Sequence, residues 1–313
     1  MKKFTIALIS GGISSERLVS LKGGDQVNEH LDRDKYRVIR YDPKTDISRL
    51  VAQASQIDAA LIIMHGEYGE DGRIQGLLDL LNIPYQGSGV IGSALAMNKL
   101  LSKQIYEQSG LLVPSYIAVK RGEKIDPDRF VNRLGLPLVI KPVKGGSSIG
   151  MSMVKSVDFL KDALDKAFAY DDTVLAEAFV KGIELTCGVI GNDKPEALPV
   201  VEIVPDKGHL FFDYEAKYTP GSTQEICPAR IDDVLTHKVQ SCALMAHTAL
   251  ACDGYSRTDM IAVDKKTYLL ETNTIPGMTQ TSLFPFAAKK AGLTYSQLLD
   301  KLIELSLERH KKT

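Results

Sequence analysis

Four polar residues near the C-terminal end of the sequence have types and spacing that could bind phosphate and a metal ion. Arg257 and Asp259 lie in the stretch RTDMIAV, and Glu271 and Asn273 lie in TYLLETN. Because side chains alternate along a strand, each pair points to one face. If the strands are adjacent and antiparallel, an arginine and three oxygen ligands converge, and such ligands suit Mg²⁺ sharing its shell with phosphates. The alternative is a pair of edge strands with solvated polar faces, but the apolar neighbours favour burial, where acids need partners.

A second stretch, IKPVKGGSSIG at 140–150, combines a strand end with glycine and serine. Its closely spaced N–H groups and small side chains suit a loop that wraps phosphate oxygens. It is not a Walker A loop, because no Gly-Lys-Ser/Thr ends it, and it lacks the context of a Rossmann fingerprint. The pattern alone therefore fits a mobile surface loop as well as a loop that covers phosphate. Lys141, at the strand end before it, could be a solvated lysine in the first case or bind a phosphate in the second.

The N-terminal elements that would position such a site alternate between strand and helix. Hydrophobic spacing predicts strands at 4–9, 36–42 and 59–66 and helices at 16–31 and 72–82. Ser14 or Ser15 is the predicted N-cap of the first helix. This alternation indicates an α/β, doubly wound parallel-sheet domain. Ligands of such sheets bind at the carboxyl ends of the strands, where Gly11-Gly12 and His65-Gly66 occur.

Two further units follow along the chain. The second is predicted to contain a helix from 97–99 to about 110, a strand at 137–142, a helix at 157–168 and a strand at 173–180. The third is predicted to contain strands at 184–190, 198–204 and 209–214, a helix at 233–251, the strands RTDMIAV and TYLLETN, and a C-terminal helix. We place the domains at 1–98, 99–184 and 185–313.

Composition narrows the class of protein. With 313 residues, 44% of them hydrophobic, the chain can build more than one domain. Its 38 basic and 39 acidic residues leave no electrostatic footprint for nucleic acid or an anionic membrane. The apolar run at the N-terminus is too short for a signal peptide, and no run is long enough to span a membrane. The four cysteines show no C-x-x-C spacing, so we expect a cytoplasmic protein with reduced thiols.

Over essentially its whole length the chain resembles the D-alanine–D-alanine ligases of the ATP-grasp superfamily. The resemblance rests on motifs that occur together in this order: Gly11-Gly12-Ile13-Ser14-Ser15-Glu16-Arg17-Leu18-Val19-Ser20, His65-Gly66, Gly69-Glu70-Asp71-Gly72, Gly87-Ser88-Gly89, Lys99, Lys141-Pro142, Gly146-Ser147-Ser148, Tyr214-Glu215-Ala216-Lys217-Tyr218, Arg257-Thr258-Asp259, Leu270-Glu271-Thr272-Asn273-Thr274-Ile275-Pro276-Gly277-Met278-Thr279 and Ser282-Leu283. It implies a three-domain ATP-grasp architecture, with mixed α+β in the two ATP-binding lobes.

The resemblance also implies a two-step reaction. The carboxylate of one D-alanine attacks the γ-phosphate of ATP, and the amine of a second D-alanine then displaces phosphate from the resulting acyl phosphate. The product, D-alanyl-D-alanine, is a precursor of peptidoglycan. Its synthesis would therefore contribute to cell-wall biogenesis and to cell shape. Magnesium or manganese, as two ions, would assist the transfer. The partners would be ATP and D-alanine, and the resemblance alone implies a homodimer.

Residue roles are carried over from the matching motifs. The implied catalytic residues are Glu16, Ser147, Tyr218, Arg257 and Gly277. The first three would form a bridge between the domains, and the last two would form an oxyanion hole. The implied metal ligands are Asp259, Glu271 and Asn273. Substrate would be bound by His65, Ser282 and Leu283. ATP would be bound by Lys99, Lys141, Ser148, Glu177, Phe179, Val180, Glu184, Phe211, Lys217, Ile261 and Leu270. The stretch at 140–150 would then be the lid over the ATP phosphates.

Three residues depart from the family pattern: Ala178, where lysine is common, Lys144, and Ser256, where glycine is more frequent. None removes an implied catalytic group. A ligase making D-Ala-D-lactate or D-Ala-D-Ser is the nearest alternative. A non-catalytic ATP-binding regulator has no need of an oxyanion arginine, and a nicotinamide-dependent dehydrogenase would need the G-x-G-x-x-G spacing that Gly11-Gly12 lacks.

Overall fold

The computed structural model describes residues 3–146, 149–205 and 223–311. Five implied site residues lie outside the described residues, as does the predicted strand at 209–214: Ser147, Ser148, Phe211, Lys217 and Tyr218. Among the described residues, no helix is long and apolar enough to cross a membrane.

The strands of the described part are numbered along the chain as β1 (Phe4–Ser10), β2 (Tyr36–Tyr41), β3 (Ala59–Ile63), β4 (Tyr116–Lys120), β5 (Leu138–Pro142), β6 (Ser152–Val154), β7 (Thr173–Ala178), β8 (Ile183–Ile190), β9 (Glu196–Ala197), β10 (Val201–Pro205), β11 (Thr223–Ile226), β12 (Tyr255–Val263) and β13 (Lys266–Asn273). The α-helices are α1 (Arg17–His30), α2 (Ile47–Ala52), α3 (Arg73–Leu80), α4 (Val90–Met97), α5 (Lys99–Gln108), α6 (Pro127–Leu134), α7 (Leu160–Phe168), α8 (Asp233–Ala249), α9 (Leu283–Lys290) and α10 (Tyr295–His310).

The N-terminal sheet is parallel, with the strand order β2-β1-β3. Alternate residues of β1 pack on opposite faces: Ile6 and Leu8 enter one core cluster, and Ala7 and Ile9 enter another. Both faces are therefore covered, which explains why this strand is apolar at nearly every position. The predicted α/β class with a parallel N-terminal sheet is confirmed.

The N-cap of the first helix lies one or two residues after the predicted position. Its N-cap residue is Glu16, without a side-chain cap hydrogen bond, so the predicted capping by Ser14 or Ser15 was wrong. The Ser14 hydroxyl instead donates to the carbonyl of His65 at 2.8 Å and accepts from the N–H of Glu16 at 3.3 Å. A hydroxyl that ties two loops together is no longer placed to cap the helix.

Two antiparallel sheets follow the N-terminal one. The first has the order β4-β7-β5-β6, and the second has the order β11-β10-β8-β12-β13, with β9 paired to β8. Helix α7 packs on the first sheet and α8 on the second. Helix α5, although it precedes the first sheet in sequence, packs against β13 of the second, and the Tyr106 hydroxyl donates to Thr272 Oγ1 at 2.6 Å.

The C-terminal segment forms two helices, α9 and α10, where one was predicted. Leu298, Leu302 and other apolar residues of α10 share a core cluster with Leu8 and Leu61 of the N-terminal sheet. The last helix of the chain thus covers one face of its first strand. A further link is made by Arg309, whose guanidinium donates to the carbonyl of Gly87.

Candidate active site

A cleft of about 960 Å³, including its opening to solvent, lies between the two antiparallel sheets. Ten of the residues implied by the sequence line it: Lys99, Lys141, Glu177, Phe179, Val180, Glu184, Asp259, Ile261, Leu270 and Glu271. Segments separated by up to 172 residues in sequence, from Lys99 to Glu271, therefore meet at one cavity.

The four residues of the RTD and ETN motifs lie as their spacing predicted. Strands β12 and β13 are antiparallel neighbours, with Arg257 opposite Asn273 and Asp259 opposite Glu271. Arg257 donates from Nε and Nη2 to the two oxygens of Asp259, at 2.8 and 2.7 Å, and both side chains are 11% exposed. Burial opposes the charge of Arg257, but Asp259 outweighs burial, and the pKa of the guanidinium is raised. The alternative of a solvated polar edge is excluded for this pair.

The donor chemistry of this cluster fits a magnesium ion. Among the described residues no group of three or more His, Cys, Asp or Glu could hold a metal, but two carboxylates and the amide of Asn273 are hard oxygen donors. Mg²⁺ is usually bound by one or two carboxylates, with phosphates and water completing its shell. The Asp259 carboxylate also accepts from Thr186 Oγ1 at 2.6 Å and from Asn273 Nδ2 at 3.2 Å, so Asn273 now serves it as a donor.

The opposite wall of the cleft carries a buried carboxylate between two lysines. Glu177, 3% exposed, lies 2.9 Å from Lys141 and 3.1 Å from Lys103. Burial acts to raise the pKa of Glu177, but the two lysines outweigh it and lower the pKa. A carboxylate that stays ionised inside the cleft is an acceptor for a ligand N–H group.

Lys99 connects strand β13 to the glycine-rich stretch. Its ammonium lies 3.6 Å from Glu271 and donates to the carbonyl of Gly145, while its backbone N–H donates to Val143 at 3.0 Å. Lys99 is the first residue of α5, which Asn98 caps through its side chain. The lysine thus stands at the mouth of the cleft, next to the start of the predicted lid.

Glu16 lies beyond that lid, in a pocket made by glycines. A Cβ at Gly66 would lie 2.7 Å from Glu16 Oε2, and one at Gly146 would lie 2.8 Å from it. Gly66 also has a φ of +73°, which disfavours other residues. The carboxylate of Glu16 therefore needs glycine at both positions, and the backbone of the glycine-rich stretch reaches it at Gly146.

The loop that carries Glu16 is held by a salt bridge to the next strand end. The Asp42 carboxylate accepts from Gly12 N at 2.9 Å and from Arg17 Nη1 and Nη2 at 3.0 and 2.6 Å. These bonds, with Arg17 first, lower the pKa of Asp42 to about 2. Gly11 is packed so closely that a Cβ there would lie 2.6 Å from Asp42.

Two ionisable groups accompany Glu16 at the strand ends. Burial lowers the pKa of His65, although the charge of Glu16 opposes that effect. Burial, followed by the charge of Glu16, raises the pKa of Glu70 to about 8. Glu70 accepts from the backbone N–H groups of Gly66 at 2.9 Å and Ile275 at 3.1 Å, and so connects the Glu16 corner to the loop after β13.

That loop leads to the predicted oxyanion and carboxylate donors. A Cβ at Gly277 would lie 2.9 Å from Ser282 Oγ, so the two residues are in contact. Ser282 precedes α9 but makes no side-chain cap bond; its Oγ accepts from Thr279 N at 3.1 Å. Ser282 therefore does not cap α9 through its side chain. Leu283 is the first residue of α9, and its N–H lies at a helix end that favours anions.

Comparison with known proteins identifies the family. The model of the D-ala D-ala ligase C-terminus matches residues 105–304, and that of the D-ala D-ala ligase N-terminus matches residues 42–88. The chain belongs to the D-alanine–D-alanine ligase family. A D-alanine--D-alanine ligase of Syntrophobacter fumaroxidans is 57% identical over 307 residues, which cover 98% of this chain and 99% of that protein.

Solved ligase structures share the fold over nearly the whole chain. The D-alanine--D-alanine ligase of Bacillus anthracis complexed with ATP superimposes with a TM-score of 0.87 at 36% identity, covering 99% of each chain. The VanG D-Ala:D-Ser ligase of Enterococcus faecalis gives 0.84 at 33% identity, covering 97% of this chain and 100% of that one. The ATP-grasp architecture expected from the sequence is confirmed.

Some residues of this ligase-family site were not predicted from sequence. Pro114, Val139 and Met151 line the cleft but look like ordinary core positions in the sequence. Lys103 had a usable signal, because it follows Lys99 by four residues on a helix and so shares its face. No sequence signal placed Asp42 at the site, since its partner Arg17 lies 25 residues away.

Proposed function

We propose that this chain joins two D-alanines into D-alanyl-D-alanine, converting ATP to ADP and phosphate, in the cytoplasm, as a step towards peptidoglycan. The observation that carries the proposal is that the residues implied for ATP and those implied for D-alanine lie next to each other. The cleft with Lys99, Lys141 and Glu177 opens onto the Asp259–Glu271 strand pair, and the lid backbone at Gly146 extends from it to Glu16.

In the first step, a carboxylate oxygen of one D-alanine attacks the γ-phosphorus of ATP, and ADP leaves. Lys99 and Lys141 neutralise phosphate charge in a partly dry cleft, where such charges count most. Glu16 accepts from the ammonium of this D-alanine and fixes its orientation. Magnesium, when held by Asp259, Glu271 and Asn273, supplies charge neutralisation on the phosphates.

In the second step, the free amine of another D-alanine attacks the acyl carbon, and phosphate leaves. Arg257 and the N–H of Gly277 stabilise the oxyanion of the tetrahedral intermediate. The bidentate pair with Asp259 uses two of five guanidinium donors and fixes the guanidinium plane. Ser282 and the N–H of Leu283 bind the incoming carboxylate at the start of α9.

The remaining assignments are proposals from the motifs. Ser148 and Lys217 bind the phosphates, and Phe211 packs on adenine with Ile261 and Leu270. Ser147 and Tyr218 complete the bridge to Glu16. We further propose two metal ions, a homodimer, and domains at 1–98, 99–184 and 185–313.

The test is D-alanine-dependent ADP formation by the purified chain, with D-Ala-D-Ala identified by chromatography. A chain that binds ATP but releases no phosphate with D-alanine would instead be a binding protein. Omitting D-alanine is the control, because ADP formed without it reports idle hydrolysis.

One similar structure is named a D-Ala:D-Ser ligase, so the identity of the second substrate needs its own test. The complete motif at 214–218 favours D-Ala-D-Ala at pH 7–8, with little D-Ala-D-lactate. Competition between D-alanine, D-serine and D-lactate measures this preference. Tyr218→Phe should lower dipeptide synthesis and raise the depsipeptide share. Wild-type protein making mainly depsipeptide would refute the product assignment and leave the ligase assignment intact.

A further inference from the structure

Lys103 is a fully buried lysine that has no place in the mechanism described above. It lies on α5, its side chain is 0% exposed, and it does not line the cleft. Its ammonium lies 3.1 Å from Glu177 Oε1, without hydrogen-bond geometry, and 6.0 Å from the ring centre of Tyr116. Burying an ammonium is costly unless it compensates another charge. The position of Lys103 therefore requires an explanation in terms of Glu177.

Residues of β4 and α5 pack around Lys103 and keep its ammonium next to Glu177. Tyr116 lies opposite Glu177 on the neighbouring strand β4, and its hydroxyl donates to Glu107 on α5 at 2.9 Å. Helix and strand are thereby tied on either side of the lysine. Burial lowers the pKa of Lys103 to about 8, with Glu177 opposing that effect, so the ammonium is still mainly charged at pH 7.

The two lysines differ in which negative charge each can neutralise once nucleotide is bound. Without nucleotide, Glu177 has both Lys103 and Lys141 as counter-ions. Lys141 lines the cleft and is assigned to phosphate in the proposed function, so ATP draws its charge away from Glu177. Lys103 is sealed behind the carboxylate and cannot reach a phosphate. It is the counter-charge that remains when the site is filled.

We propose that Lys103 is a positioning and specificity-determining residue, which keeps Glu177 a carboxylate acceptor so that it selects the 6-amino group of adenine. An amino group donates hydrogen bonds, and an ionised carboxylate only accepts them. Without Lys103, a buried carboxyl in the filled site favours protonation, and a protonated carboxyl loses much of its preference for a donor. This inference rests on the proposed function, because it takes the cleft as the nucleotide site.

The probe is purine riboside triphosphate, which lacks only the 6-amino group of ATP and keeps the N1 acceptor. The measurement is kcat/KM for D-alanine-dependent ADP or nucleoside diphosphate formation with each nucleotide. A hydrogen bond to a charged group is strong enough that we expect Lys103→Met to lower the ATP-to-analogue ratio by about tenfold. The loss appears in KM for ATP, with kcat at saturation changing little.

Three further variants separate specificity from folding. Lys103→Arg, which keeps the charge, should restore most of the ratio. Tyr106→Phe removes a buried hydrogen bond of the same helix and should lower the melting temperature without changing the ratio. In a Glu177→Gln background, Lys103→Met should produce no additional change. If Lys103→Met does not fold, Lys103→Gln is used in the same way.

The proposal is overturned if Lys103→Met keeps the wild-type ratio, or if both nucleotides lose kcat/KM equally, which marks a purely structural lysine. Failure of the proposed function gives a different result. In that case wild-type protein forms no nucleoside diphosphate in response to D-alanine, with ATP or with the analogue.

Discussion

Asp42→Asn should weaken the binding of D-alanine, although Asp42 touches neither D-alanine nor ATP in the proposed mechanism. The change keeps the shape of the side chain and removes its charge. The Oδ1 atom can still accept from Gly12, but the new amide nitrogen faces Arg17 Nη2, a donor now 2.6 Å from Oδ2. Two donors repel each other, so the loop that carries Glu16 loses its anchor.

The magnitude follows from the pKa of Asp42, which falls from 3.8 to about 2 on folding. The full shift corresponds to about 2.4 kcal/mol, but Asp42 is partly hydrated, and solvent screening reduces the expected loss to about 1 kcal/mol. A lowered folded pKa gives stability that is present above the unfolded pKa and is lost as pH falls towards 2. The difference in the free energy of unfolding between wild type and Asp42→Asn should therefore reach its full value at pH 6–7 and be clearly smaller at pH 3.

The assays are differential scanning calorimetry between pH 3 and 7 and steady-state kinetics with D-alanine varied. Re-forming the loop at a cost of about 1 kcal/mol raises KM for the first D-alanine about fivefold. The matched control is Asp25→Asn, which removes an exposed ion pair with Arg40 and should change neither quantity measurably. A stability difference that does not decline at low pH, or an unchanged KM, would refute the reasoning.

Three further outcomes are expected. Asp259→Asn should lower kcat at least 100-fold, measured as phosphate release at saturating Mg²⁺, because it removes a proposed metal ligand and the partner of Arg257; a normal rate with intact circular dichroism would place the metal elsewhere. Gly66→Ala should lower kcat/KM for D-alanine by about tenfold or more, since its Cβ displaces Glu16 and its φ is positive; wild-type kinetics would contradict this contact. Ser256→Ala should lower the free energy of unfolding by about 1 kcal/mol because it removes the 2.7 Å partner of the buried His247, and an unchanged melting temperature would show that His247 needs no partner.

Sequence alone predicted what is encoded locally. The apolar run at 4–9 gave the first strand because both faces of a parallel sheet are buried. The two-residue spacing of Arg257 and Asp259 gave their shared face, and only the pairing of β12 with β13 had to be assumed. These features depend on residues close together along the chain.

What the sequence could not provide depends on contacts between distant segments. The ion pair between Lys103 and Glu177 joins a helix to a strand 74 positions later, and nothing in either segment indicates that the lysine is buried. Ser256 appeared only as a departure from a common glycine, and its hydrogen bond to His247 shows what the hydroxyl does. The five site residues outside the described part remain predictions.

The contact between the last helix and the first strand has a consequence for synthesis of the chain on the ribosome. Leu8 and Leu61 emerge early, but the face they form is covered by Leu298 and Leu302, which are translated long after them. The nascent N-terminal sheet must therefore wait with one apolar face open, the condition in which chains aggregate or engage chaperones. A stop codon before Tyr295 would spare every proposed catalytic residue, yet its product would be expected to be cleared by proteolysis before it could act.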